Sequence, residues 1–87
     1  MSETKALTFP CDFPLKIMGR AQPDFDSLVV EIVLRHVGNV REGAISVRES
    51  RGGKYVSVTV TVQAESQDQL DGLYRELSAH ERILMVL

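Results

Sequence analysis

Residues 55–63 read YVSVTVTVQ, and this alternation leaves few folds open. Every second position is apolar and the positions between are polar, which is the period of a strand with one buried and one exposed face. The apolar set is Val56, Val58, Val60 and Val62. The sequence therefore predicts a strand that belongs to a sheet covered on one side only.

The dipeptide Gly52-Gly53 precedes this strand and is typical of a tight hairpin turn. A two-residue loop there pairs strand 44–51 with strand 54–63 and places Val47 opposite Val58. Ile45 then falls opposite Val60, so the apolar faces of both strands agree and support the register.

Two helical patterns flank the hairpin. From about Pro23 to Val37 the apolar residues recur at helical spacing, with Gly38 as the stop. That stripe consists of Phe25, Leu28, Val29, Ile32, Val33, His36 and Val37. A second helix starts at Ser66, where Gln69 three residues later completes a capping-box pattern. Its apolar stripe is Leu70, Leu73, Tyr74 and Leu77.

A strand before the first helix, 13–20, and one at the chain end, 82–87, complete the order strand, helix, strand, strand, helix, strand. With right-handed crossovers this order predicts a ferredoxin-like α+β sandwich. Its four-stranded antiparallel sheet has the strand order 4-1-3-2 and carries both helices on one face. We expect residues 1–12 to form an extended arm and residues 13–87 to form the single domain.

The other sheet face, which we call the open face, is expected to lack helices. It should present Lys16, Met18, Arg20, Ser46, Arg48, Tyr55, Ser57, Thr59 and Thr61. Three of these residues are cationic and none is acidic. Two interpretations stay open: a solvated sheet surface, or a contact surface for an anionic ligand or a second subunit.

The last strand is apolar on both faces and lies at an edge of the predicted sheet, which invites pairing unless something covers it. Either Leu84 and Val86, or Ile83 and Met85, must face away from the helices. The N-terminal arm with Phe9 or a protein partner would cover them. We take Leu84 and Val86 as the candidate interface for a homodimer or another protein.

A candidate ligand site lies where the first strand meets the first helix. Backbone N–H groups at a helix start attract anions, and Gly19, Arg20 and Gln22 are adjacent. The alternative is a plain tight connection before a capped helix.

Several classes of protein are not expected. The formal net charge of −2 is unlike the basic surface of a nucleic-acid binder. No apolar run approaches the ~20 residues needed to span a membrane, so we expect a cytoplasmic protein. Cys11 is the single cysteine and no nucleophile–base pair or ligand cluster can be assembled. We therefore expect no catalytic residues, no metal and no cofactor.

The string FPCDFPLKIMG, from Phe9 to Gly19, resembles the start of the small bacterial YbeD-like family of unknown function. The motifs VLRH, SVTVTV, LYREL and the terminal MVL follow in the family's order, so the resemblance covers nearly the whole chain. It implies a domain similar to the ACT-type regulatory domains of amino-acid metabolic enzymes, and it brings the label "proposed lipoate regulatory protein". ACT domains usually bind an amino acid near a Gly that follows the Pro of the first loop. Here Asp24 follows Pro23.

Residues and resemblance together predict a non-catalytic regulatory or binding module that acts through protein contact or self-association. The alternative is a sensor of a small anionic metabolite, an amino acid or a lipoate-like acid, at the first strand–helix loop.

Overall fold

The computed structural model describes residues 8–38 and 40–87. The elements in these ranges are β1 (Cys11–Arg20), α1 (Phe25–Val37), β2 (Ile45–Glu49), β3 (Tyr55–Ala64), α2 (Gln67–Ala79) and β4 (Ile83–Val86). This order confirms the predicted one. Neither helix is long and apolar enough to cross a membrane.

The four strands form one antiparallel sheet in the order β2-β3-β1-β4, which is 4-1-3-2 from the other edge. Val47 lies opposite Val58 and Ile45 opposite Val60, as predicted. The loop between β2 and β3 is longer than predicted, because residues 50–54 lie outside the strands; the Ser50 N–H donates to the Tyr55 carbonyl and closes it. The partners of residues 45–49 are the predicted ones, so the register is unchanged.

One face of the sheet is buried under both helices. The central strand residues Leu15, Ile17, Val58, Val60 and Val62 are fully buried on this side. The helices contribute Phe25, Val29, Ile32, Val33, Leu70, Leu73 and Leu77 to the same core. Both helices therefore lie on one side, and the ferredoxin-like fold is confirmed.

The two helices do not extend over β2. Every residue of β2 is exposed, and Ile45 and Val47 stay accessible although they belong to the helix side of the sheet. Helix α1 packs over β3 and β1 instead. The edge strand β2, whose alternating sequence predicts one buried face, therefore remains at the surface.

Some boundaries differ from the predicted ones. Strand β1 begins at Cys11, not Phe13, because Cys11 and Asp12 continue the pairing with β3. Helix α1 begins at Phe25, not Pro23, since Asp24 has a non-helical backbone. Strand β4 spans Ile83–Val86, four residues of the predicted six. Of the predicted arm, residues 1–7 lie outside the described ranges, and Phe9 packs partly buried against the core.

Candidate functional site

The structure separates Gly19 from the other two residues of the predicted ligand site. Gly19 is buried within the sheet. A Cβ there would lie 2.4 Å from Cε1 of Phe25 and 2.6 Å from the carbonyl oxygen of Arg82, so the missing side chain makes room for neighbours. Arg20 and Gln22 are exposed and together line a cleft of about 280 Å³ with Glu81, Arg82 and Leu84.

Asp24, the residue before α1, forms an ion pair with Arg82. Arg82 donates from Nη2 to Oδ1 of Asp24 at 2.7 Å and from Nη1 to Oδ2 at 3.2 Å. The hydrogen bond from Arg82 holds the pKa of Asp24 below its ordinary value. Asp26 follows in the first turn of the helix, so a ligand approaching this terminus meets two carboxylates.

A second cleft, of about 390 Å³, opens between the β1–α1 loop and strand β2. Phe25 and Val47 supply apolar walls, and Asp26 and Glu49 bring carboxylates to its rim. Such a lining favours a ligand that carries a positive group beside an apolar one.

The β4 strand does not alternate as predicted. Met18 pairs with Met85, but Gly19 pairs with Ile83, so a register shift leaves Leu84 as an extra residue. Ile83 is buried, and Val86 is half-buried beside its partner Ile17 on the helix side. Leu84 is exposed, so the two predicted interface residues do not present one common surface.

The open face contains all nine predicted residues, and the structure adds two more at its edge. Met85 pairs with Met18, and Leu87 exchanges backbone hydrogen bonds with Lys16 at 3.1 and 2.8 Å. The sequence could not place these two residues, because the register shift in β4 is invisible in its apolar run. Asp12, which the longer β1 brings to the end of this face, is bound by Arg41 at 3.0 Å.

At the centre of the open face lies a depression of about 230 Å³. Ser57 forms its floor and is 9 % exposed. Met18 and Arg48 are its cross-strand neighbours on either side, and Lys16 and Tyr55 also line the depression. A short side chain among long ones creates the hollow.

The two histidines each contact a neighbouring polar group. Nε2 of His36 lies 2.7 Å from Oε1 of Glu76, and Arg35 also donates to Glu76. Nδ1 of His80 accepts from the backbone N–H of Arg82 at 3.2 Å. Cys11 is a free, half-buried thiol. Over residues 8–38 and 40–87, no group of three His, Cys, Asp or Glu side chains could hold a metal ion.

A family model described as a protein of unknown function, DUF493, matches residues 4–87. The chain belongs to this family. A DUF493 relative, the UPF0250 protein NE1487 of Nitrosomonas europaea, is 42 % identical over 87 residues and is covered in full, as is this chain. A UPF0250 protein of Paraburkholderia phymatum is 42 % identical over 81 residues, which are 93 % of this chain and 91 % of the relative.

The solution structure of protein HP0495 from H. pylori superposes on this DUF493 protein with a TM-score of 0.74. The match covers 99 % of this chain and 90 % of that one at 13 % identity, a likeness that shows the fold alone. Membership is consistent with the resemblance to the YbeD-like family. It assigns no activity, because the family is of unknown function.

Proposed function

We propose that this DUF493 protein is a non-catalytic regulatory or binding module that acts through contact with another protein or with a second copy of itself. The uncovered open face carries the proposal. Met85 is 49 % exposed, Leu87 60 % and Tyr55 37 %, and none of the described helices lies over them. Exposed apolar side chains that gather on one surface are typical of interaction sites.

The arrangement of the reactive side chains supports a non-catalytic role. Nucleophilic catalysis needs a hydroxyl or thiol beside a base that is itself oriented. His36 is held by Glu76, and His80 accepts from a backbone N–H. Neither histidine is hydrogen-bonded to a serine or cysteine within the described ranges.

Site-specific photo-crosslinking tests the proposal. Benzoylphenylalanine is placed at Met85 or Tyr55 on the open face, and at Leu34, which is exposed on α1, as the control. The experiment uses the source bacterium's cytoplasm, the compartment that the sequence predicts. We expect light-dependent adducts from Met85 and Tyr55 but none of the same mass from Leu34. The mass separates a second copy from another protein, and the absence of adducts from both open-face positions would contradict the proposal.

A second candidate function is a small-molecule sensor, favoured by the cleft between the β1–α1 loop and β2. Asp26 and Glu49 at its rim would bind the ammonium group of an amino acid, and they disfavour a purely anionic acid of the lipoate type. A ligand at 100 times its Kd adds about 2.7 kcal/mol to stability. In a thermal-shift screen of amino acids and lipoate-type acids, an amino acid should raise the Tm of the unmodified protein. The same amino acid should not raise the Tm of the Asp26→Asn variant. A screen without any shift would remove this candidate.

A further inference from the structure

We infer that the centre of the open face binds an acidic, partly apolar peptide segment of a partner protein, with Lys16, Arg20 and Arg48 holding its carboxylates. The inference rests on the proposed function and names the chemistry of the partner.

The cations of the open face have no ionic partner. Lys16, Arg20 and Arg48 form no ion pair with any carboxylate of residues 8–38 and 40–87, whereas Arg35, Arg41 and Arg82 all do. The chain as a whole is acidic, with a formal net charge of −2. The open face therefore presents three cations, unpaired within the described ranges, on a chain that is acidic overall, which favours a ligand of opposite sign.

The depression at Ser57 provides a place for one acidic side chain. Lys16 and Arg48 line the hollow together with the buried polar residue Ser57. Glu49 also lines the hollow, but its strand position puts it on the opposite, helix-facing side of β2. A carboxylate that enters would exchange water for two cationic donors and the Ser57 hydroxyl.

The spacing of the cations favours a peptide over a small anion. Lys16 and Arg20 lie four residues apart on β1, which is roughly 13 Å at the rise of a strand. Lys16 lies opposite Thr59 and Arg48 opposite Ser57, so two strand spacings and a two-residue offset separate their backbones by roughly 12 Å. Arg20 does not line the hollow that Lys16 and Arg48 share, so one small anion cannot contact all three cations, but an extended chain with several acids can.

The pattern along β1 also specifies where the partner is apolar. Lys16, Met18 and Arg20 alternate cation, apolar residue and cation on the same face. An extended segment lying along β1 presents every second residue to the sheet. Its complement therefore has acids at positions i and i+4 and an apolar residue at i+2, over Met18.

Nucleic acid fits this face less well. Single-stranded RNA or DNA binds to sheets through several stacking aromatic side chains. Tyr55 is the one aromatic residue on the open face in the described part of the chain.

The test uses a fluorescein-labelled peptide, GESLSESLSEG, and fluorescence anisotropy with the full chain. We expect saturable binding that weakens with added salt. Arg48→Glu and Lys16→Glu should each weaken it about tenfold, since a charge reversal removes one attraction and adds one repulsion. Arg75→Glu, the same change at an exposed position on α2, should stay within about twofold, and circular dichroism confirms that each variant is folded.

Several outcomes would overturn the inference. They are equal weakening by Arg48→Glu and Arg75→Glu, undiminished binding when lysine replaces each glutamate in the peptide, and tighter binding of a short oligothymidine than of the peptide. If the peptide fails while Met85 still forms its photo-adducts, the acidic chemistry is wrong and the protein-contact function stands. If both fail, the proposed function falls as well.

Discussion

Gly19 is the position where one added methyl group should cost most. The Cβ of an alanine would lie 2.6 Å from the carbonyl oxygen of Arg82, a backbone atom that moves only if the start of β4 moves. We expect Gly19→Ala to destabilise the fold by about 3 kcal/mol, the upper range for overpacking, measured by urea unfolding. Gly72→Ala is the matched control, because its nearest neighbour lies at 3.5 Å in ordinary contact, and alanine favours a helix over glycine. Equal transition midpoints for the two variants would contradict this account.

Single residues also show where prediction from sequence stops. The sequence places Gly19 in a candidate ligand site, whereas the structure packs it against Phe25. The sequence indicates no distant partner for Asp24, whereas its carboxylate binds Arg82, 58 residues away. Local patterns do not contain such a contact, because only the assembled sheet brings the ends of the domain together.

Helix α2 depends on its first turn. The Ser66 hydroxyl accepts from the Gln69 N–H at 3.1 Å, and the Gln69 side chain accepts from the Glu65 N–H at 2.7 Å. Ser66→Ala should therefore cost about 1 kcal/mol, the usual value of an N-cap. Ser78→Ala, an exposed position near the other end of α2, serves as the control in the same urea titration. A Ser66 variant as stable as the Ser78 variant would show that the cap contributes nothing.

Helices and strands can be predicted from the sequence where the hydrophobic pattern and an adjacent turn indicate the same pairing. The β2–β3 register followed from the valine alternation and from Gly52-Gly53, whose positive φ of +87° and +70° suits a hairpin turn. Strand β4 lacked such support: its apolar run reads the same in either register, and the shift opposite Met18 decides which side chains are exposed. Periodicity thus fixes a strand only when its two faces differ in polarity.

The molecule as a whole was easier to predict than its surface. The order of elements and the two amphipathic helices were enough to specify a sheet covered on one side. They did not specify how far the cover extends, because that depends on the crossing of α1 over the sheet, which leaves Val47 of β2 exposed at 49 %. The open face follows from the strand pattern, but its central hollow depends on which side chains meet Ser57 across strands.

Lowering the pH should destabilise the fold, because it protonates carboxylates whose ion pairs join distant elements. The hydrogen bond with His36, together with the charge of Arg35, holds the pKa of Glu76 below its ordinary 4.5. Arg82 does the same for Asp24, whose ordinary value is 3.8. A carboxyl whose pKa is lower in the folded state contributes stability at pH values above its unfolded-state pKa. It loses that contribution as the pH falls through its folded-state pKa.

The free energy of unfolding should therefore decline below about pH 5, and Glu76→Gln and Asp24→Asn should each make the decline shallower. Both side chains are accessible at the surface, so each effect is modest and should shrink further in high salt. Urea unfolding at a series of pH values measures the slope, and a Glu76→Gln slope equal to that of the unmodified protein would show that the contact between α1 and α2 is not coupled to folding.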